Sequence, residues 1–174
     1  MAFNTPSLLQ VSVMVAILVA LSSSGVFRAK EERMVIYAHD SFSGPNATGI
    51  IVAGMGGVSS NPLGFGTVFV IDDPVTVGPD ISSMYLGRAQ GILVNSELKG
   101  TSFHLAFTIV FGSGKYNGST LEIQGADPFK QKQREISVVG GTGMFRYARG
   151  YAVMETVSLL GLNACIRLTL NVRP

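Results

Sequence analysis

The chain has 174 residues and a net charge of +2, and hydrophobic residues make up 47% of it against 14% charged residues. This balance excludes a disordered chain and predicts one domain with a single hydrophobic core. Lysine and arginine are scattered along the sequence, which excludes the basic stripe typical of nucleic-acid-binding proteins. Nucleic acid is therefore not an expected partner.

The first segment has the order of a secretory signal peptide. An apolar run from Val11 to Leu21 is followed by the small residues Ser22 to Gly25. The run is shorter than the ~20 apolar residues that a bilayer span requires, so we expect no membrane anchor. We predict a signal peptide at residues 1–25 and a secreted domain at residues 26–174.

The rest of the chain alternates short apolar strands with turns rich in glycine, proline and serine, and it lacks helical periodicity. The predicted strands are Met34–Asp40, Gly49–Ala53, Phe65–Ile71, Tyr85–Asn95, Ser102–Phe111, Ser119–Gln124, Arg134–Val139, Phe145–Val157 and Ala164–Val172. Pro74 is expected to end the third strand because proline cannot donate to the ladder.

The predicted fold class is all-β, an eight-stranded antiparallel up-and-down β-barrel, with a sandwich as the alternative. Closure into a barrel removes the edges that such apolar strands would otherwise expose. A barrel of this size can hold one small ligand. The strand Ser102–Phe111 places every second residue on an apolar face that includes Phe107, and its other face is a candidate contact for a second copy of the chain.

Several classes of site are excluded by what the sequence lacks. It has one cysteine, Cys165, and two histidines, His39 and His104, so no Cys/His cluster of metal-binding spacing is present and we expect neither a metal nor a cofactor. A nucleophile elbow is also missing, which argues against a hydrolase. Two sequons, at Asn46 and Asn117, lie beside turn residues and are candidate glycosylation sites.

Charged side chains stand inside otherwise apolar strand sequence, at Asp40, Asp73, Arg88, Asp127, Arg134 and Arg146. Asp40 ends a strand, while Asp127 and Arg134 flank one turn and could share the mouth of a barrel. A carboxylic acid in an apolar cup stays neutral and can give up a proton near pH 7. The alternative is structural, since Asp-Pro pairs stabilise turns and Asp–Arg pairs fix loops.

Five short sequence motifs add to this interpretation. In order they are Val35–Asp40 (VIYAHD), Phe65–Val68 with Asp72-Asp73-Pro74, Gly87–Gly91 (GRAQG), Gly118–Phe129 (GSTLEIQGADPF), and Arg134–Ile136 leading into Gly140–Arg146 (GGTGMFR). In this order and spacing they resemble the dirigent protein family of plants. The resemblance covers essentially the whole mature chain.

The resemblance implies a secreted eight-stranded barrel of the apoplast or cell wall, commonly a homotrimer. Such proteins hold a reactive phenolic intermediate, a phenoxy radical or a quinone methide, and fix the stereochemistry of its coupling or cyclisation. Members that couple radicals need a separate oxidase of the laccase or peroxidase type. Others are pterocarpan synthases, dehydratase-cyclases acting on an isoflavanol. The chain is thus either an enzyme or a stereo-directing auxiliary, and a non-catalytic barrel that binds wall polymers or carbohydrate is a further alternative.

The resemblance also assigns residues. Asp40 and Asp127 match the acidic pocket residues, and Arg134 matches their basic partner. Independently of those matches, the candidate ligand-binding residues are Tyr37, His39, Arg88, Phe107 and Arg146. One departure concerns the segment after the GRAQG string, where Ile92-Leu93-Val94 replaces the aromatic residues of many lignan-forming members. A tyrosine hydroxyl is therefore missing, and the substrate stays open.

Overall fold

A computed structural model of the chain describes residues 7–23, 31–55 and 61–173. They belong to two units, residues 1–30 and 31–174. The first unit contains one described helix, α1 (Leu8–Ser23). No helix in the described ranges is long and apolar enough to cross a membrane. The predicted boundary after residue 25 lies outside the described residues, so the signal peptide stays a prediction.

The described part of the second unit consists of nine antiparallel strands and two single-turn 3₁₀ helices. The strands are β1 (Glu32–Asp40), β2 (Gly49–Ala53), β3 (Val68–Thr76), β4 (Tyr85–Asn95), β5 (Phe103–Phe111), β6 (Thr120–Asp127), β7 (Arg134–Thr142), β8 (Arg149–Leu160) and β9 (Asn163–Arg173), and the 3₁₀ helices are Gly114–Tyr116 and Gly143–Phe145. From β2 to β9 each strand pairs with the next, and β1 pairs with both β9 and β3. β1 and β3 to β9 thereby close a ring, which confirms the predicted eight-stranded antiparallel barrel.

Two strands share one edge of β3. β2 pairs with its first part, where Gly49 opposes Ile71, and β1 pairs with its end, where Ala38 opposes Val75. The two ladders follow different registers, so β1 and β2 meet at a seam beside residues 72–74 of β3. This seam places the end of β1 against the middle of β3.

β3 runs through Pro74 to Thr76, so the prediction that this proline ends the strand was wrong. The N–H groups of alternate strand residues face the same edge. The N–H of Asp72 donates to Thr48 O across that edge. The backbone nitrogen of Pro74 faces the same edge two residues later, at the seam between the β2 and β1 ladders. No ladder hydrogen bond is formed there, so the missing N–H of proline removes none.

The barrel interior is filled at one end by aromatic side chains. Phe111, Tyr116 and Phe145 pack with ring centroids 4.9 to 5.6 Å apart. Phe145 was predicted to open the eighth strand. It lies instead in a 3₁₀ helix, which turns its ring into the barrel end, and β8 begins at Arg149. The closed end leaves the other end available for a ligand.

The alternation predicted for β5 is confirmed, because Leu105, Phe107, Ile109 and Phe111 are buried. The outer face of β5 is less apolar than expected for a contact between copies of the chain. His104 is exposed there, and the Thr108 hydroxyl donates to Glu122. A larger apolar surface lies on neighbouring strands. Three side chains in one register row, which we call the β2–β4 patch, are exposed there: Ile50, Val70 and Ile92.

Candidate functional site

A cavity of about 220 Å³ occupies the end of the barrel opposite the aromatic plug. Its wall is mainly apolar, with Phe69, Phe103 and Phe107 among the lining side chains. Four charged side chains also line it, and they form two pairs: Asp40 with Asp73, and Asp127 with Arg134. The cavity therefore combines an apolar wall with three carboxyl groups, two that are paired with each other and one that is paired with an arginine.

The seam in the sheet brings Asp40 and Asp73 together. β1 and β3 pair with Ala38 opposite Val75, and the same register continued by two residues sets Asp40 opposite Asp73. Both side chains lie on the inward face, and Asp73 is fully buried. The Thr48 hydroxyl, from the segment that enters β2, donates to Asp73 Oδ1.

The surroundings of Asp40 and Asp73 favour the neutral form of one carboxyl group. A neutral carboxyl group can donate a hydrogen bond to its charged neighbour. Burial, and then the charge of Asp73, raises the pKa of Asp40 well above its ordinary value. Burial raises the pKa of Asp73 to about 6, although hydrogen bonds from Thr48 and Asp40 act to lower it. Asp73 Oδ2 is buried without a hydrogen-bond partner among the described residues, which leaves it able to accept a proton from a neutral Asp40.

Asp127 and Arg134 form a buried ion pair. Asp127 is the last residue of β6 and Arg134 the first of β7, so the intervening hairpin loop holds both at one rim. Arg134 Nε donates to Asp127 Oδ1 over 2.7 Å, and Arg134 Nη1 donates to Thr156 Oγ1 over 3.1 Å. β6 continues to Asp127, beyond the predicted strand end at Gln124. The pair presents a fixed carboxylate to the cavity.

Four of the eight predicted catalytic or ligand-binding residues line the cavity: Asp40, Phe107, Asp127 and Arg134. Tyr37, His39, Arg88 and Arg146 are not among the residues that line it.

Each of these four has another place in the fold. Tyr37 and His39 lie on the outer face of β1, where His39 Nε2 is 2.7 Å from Thr76 Oγ1 and burial lowers the pKa of its imidazole. Arg88 pairs with Asp72 on the outside of the barrel. Arg146 is exposed and follows Phe145 at the plugged end.

Three polar participants were not assigned by the sequence: Asp73, Thr48 and Thr156. Asp73 was recognised as a charge within an apolar strand, but Pro74 was taken as the strand end and hid its inward direction. The alternation Phe69, Ile71, Asp73 was the signal that could have shown it. Thr48 and Thr156 are common residue types whose contacts depend on the seam and on strand pairing, and they carry no comparable signal.

The remaining predicted positions lie outside the cavity. Asn46 and Asn117 are both exposed, as glycosylation requires. Cys165 is buried and free. Within the described part of the chain, no group of three or more His, Cys, Asp or Glu side chains is arranged to hold a metal ion.

The comparisons with known proteins agree with this geometry. A family model for Dirigent-like proteins matches residues 31–173. The chain belongs to the dirigent family. Dirigent protein 11 of Arabidopsis thaliana is 42% identical over 130 residues, which cover 75% of this chain and 67% of that protein. Pterocarpan synthase 1 of Glycyrrhiza echinata is 40% identical over 155 residues, 87% of this chain and 82% of the relative.

Solved dirigent structures are similar as well. The pterocarpan synthase dirigent protein GePTS1 matches with a TM-score of 0.77 and 38% identity, over 82% of this chain and 84% of that chain. PsPTS1, also a pterocarpan synthase dirigent protein, matches with a TM-score of 0.78 and 36% identity, over 84% and 96% of the two chains. The dirigent barrel seen here is therefore shared with two proteins named as pterocarpan synthases.

Proposed function

We propose that this dirigent protein binds a reactive phenolic intermediate in the barrel and imposes one stereochemical course on its coupling or cyclisation. The observation that carries the proposal is the placement of two acidic sites in a single apolar cavity. One is Asp40 beside Asp73, where burial raises the pKa of Asp40, and the other is Asp127 in its ion pair with Arg134. The apolar wall orients the ring system, and the acids contact its oxygens.

A dehydratase-cyclase course, which the resemblance to pterocarpan synthases implies, suits a neutral Asp40 and an Asp127 that is ion-paired with Arg134. Asp40 gives its proton to a leaving hydroxyl, the C–O bond breaks and water departs. The phenol of the same ligand gives its proton to the carboxylate of Asp127, which leaves a neutral quinone methide. A second hydroxyl then adds to the methide carbon. Its proton returns to Asp40, and the phenol oxygen recovers its proton from Asp127.

In a radical course the same residues act differently. A separate oxidase of the laccase or peroxidase type removes one electron and one proton from each phenol, and the barrel supplies orientation alone. The acids then act as hydrogen-bonding anchors. Loss of an anchor weakens binding and scrambles stereochemistry, whereas loss of a general acid lowers the rate by about 10²- to 10⁴-fold.

The test uses the protein produced from the full chain, in two separate incubations. One contains an isoflavanol without any oxidase, and the other contains coniferyl alcohol with a one-electron oxidant. Products are resolved by chiral chromatography for the native protein and for the variants Asp40→Asn and Asp127→Asn. Asp72→Asn is the matched control, because Asp72 neighbours Asp73 in sequence but pairs with Arg88 on the outer face.

Oxidant-free turnover that is lost in the Asp40→Asn variant and kept in Asp72→Asn supports the dehydratase-cyclase course. Enantioselective dimers formed only with the oxidant support the radical course. If neither incubation gives a chiral excess, the proposed function is wrong although the barrel stands.

The setting of this function is part of the proposal. We infer secretion to the apoplast, supported by the leader-like first segment, and glycosylation at the exposed Asn46 and Asn117. We also infer a homotrimer, for which the exposed β2–β4 patch is the supporting feature.

A further inference from the structure

The hairpin that joins β8 to β9 carries apolar side chains at its tip. Gly161 and Leu162 form its two-residue turn, and Gly161 has a φ of +63°, which this kind of turn favours. Leu159 is 67% exposed and Leu160 83% exposed. Turns of this kind are usually polar, so an exposed row of leucines calls for a physical reason.

A β-bulge determines which leucine faces the cavity. Before the bulge, even-numbered residues of β8 point inward, so that Met154 and Thr156 line the cavity. The register shifts between Thr156 and Ser158, which leaves Val157 as the extra residue. Beyond it the alternation is reversed, and Leu159 lines the cavity while Leu160 does not. Bulges beside binding sites commonly re-aim a side chain in this way.

The size of the cavity suggests what Leu159 contacts. A volume of about 220 Å³ is below the ~300–1,000 Å³ of pockets that enclose a drug-sized ligand. A phenol with one ring fits inside, whereas a ligand of several rings extends through the mouth. The cavity lining includes Leu159 and Leu162 from this hairpin, with Leu63 and Phe129 from two other loops. Leu159 combines this contact with large exposure, as expected of a side chain that a protruding ligand would cover.

We propose that Leu159 is a specificity-determining residue, which contacts the part of a polycyclic phenolic ligand that extends beyond the barrel and favours such ligands over single-ring phenols. This inference rests on the proposed function and adds the substrate class to it. The leucine gains burial only when the ligand is long enough to reach the rim. Its effect is therefore confined to ligands with a second ring system.

The experiment measures equilibrium binding by calorimetry for two probes, an isoflavan-4-ol with several rings and coniferyl alcohol with one. The variants are Leu159→Asn, Leu159→Met and the control Leu160→Asn, a neighbour on the same hairpin that faces away from the cavity. We expect Leu159→Asn to weaken isoflavanol binding about tenfold and coniferyl alcohol binding less than about twofold. Leu159→Met should keep the native preference, and Leu160→Asn should leave both affinities unchanged.

Thermal unfolding checks that all variants fold, which their exposed positions lead us to expect. Equal weakening of both probes by Leu159→Asn, or the same effect from Leu160→Asn, overturns this inference alone, because the native protein still binds phenols. If the native protein binds neither probe, the proposed function is overturned and this inference with it.

Discussion

Asp73 links the protonation of the cavity to the stability of the fold. Its folded pKa of about 6 lies above the ordinary value of 3.8, so between these values the folded chain binds more protons than the unfolded chain. Stability contributed by this group is therefore complete below the unfolded pKa and is lost as the pH rises through the folded one. A neutral side chain at this position avoids the loss.

We expect Asp73→Asn to raise the free energy of unfolding at pH 7.5 by about 3 kcal/mol, since one pKa unit is worth about 1.4 kcal/mol and the pKa of Asp73 rises from 3.8 to about 6. The gain should shrink towards zero at pH 4. Chemical denaturation across this range measures it. Asp72→Asn is the control and should give no gain at pH 7.5, because hydrogen bonds from Arg88 and Gln90 help to lower the pKa of Asp72. A gain from Asp73→Asn that is equal at pH 4 and pH 7.5 would contradict the linkage.

Among individual residues, the sequence predicted Asp40, Asp127 and Arg134 because a charge in an apolar strand must face a partner or solvent. A charged residue in an apolar strand does not by itself show whether its side chain points into the barrel or out of it. Tyr37 and His39 stand an odd number of residues from Asp40 on one strand, so alternation places them on the opposite face. Applied strictly, that rule would have removed both from the predicted site.

Among the elements, β4 depends on a glycine for its close approach to β5. A Cβ atom at Gly91 would lie 2.3 Å from Ala106 O and 2.5 Å from Phe107 Cα, both backbone atoms of the neighbouring strand. We expect Gly91→Ala to lower stability by about 1–3 kcal/mol through forced separation of the two strands. Thermal unfolding measures it.

Gly112→Ala is the matched control, since its Cβ would lie 3.6 Å from the Tyr85 ring, an ordinary contact distance. Equal stability of the two variants would show that the β4–β5 approach adapts to the methyl group.

Element bounds were predicted best where turns are marked by glycine and proline, as at Gly49–Ala53 and Tyr85–Asn95, which match the observed strands. The errors share a cause: whether a residue continues a strand, ends it or forms a bulge depends on the strand that pairs with it. Pro74 is tolerated because its position faces the seam, and β8 continues past its predicted end at Val157 through a bulge against β9. Neither partner is visible in the local sequence.

For the whole molecule, the β2–β4 patch predicts self-association. Ile50, Val70 and Ile92 are 60%, 41% and 43% exposed in the single chain, and a contact between copies would bury them together. We expect Ile92→Glu to convert a trimer into a monomer at micromolar concentration, measured by sedimentation. Val139→Glu is the control, at a similarly exposed apolar position on β7, and should leave the assembly intact. A native protein that sediments as a monomer would contradict the predicted trimer.

Barrel closure was predicted from the need to remove apolar edges, but the way the ring closes has its own consequence. β1 and β9, the first and last strands, pair from Glu32 opposite Val172 to Asp40 opposite Ala164. The ring therefore cannot form until β9 has left the ribosome. The Thr48 hydroxyl, which donates to Asp73 in the finished barrel, is also the hydroxyl of the Asn46 sequon. If Asn46 is glycosylated during synthesis, as we propose, the glycosyltransferase recognises the Thr48 hydroxyl before that hydroxyl donates to Asp73. The same hydroxyl would then take part first in sequon recognition and afterwards in the acidic site.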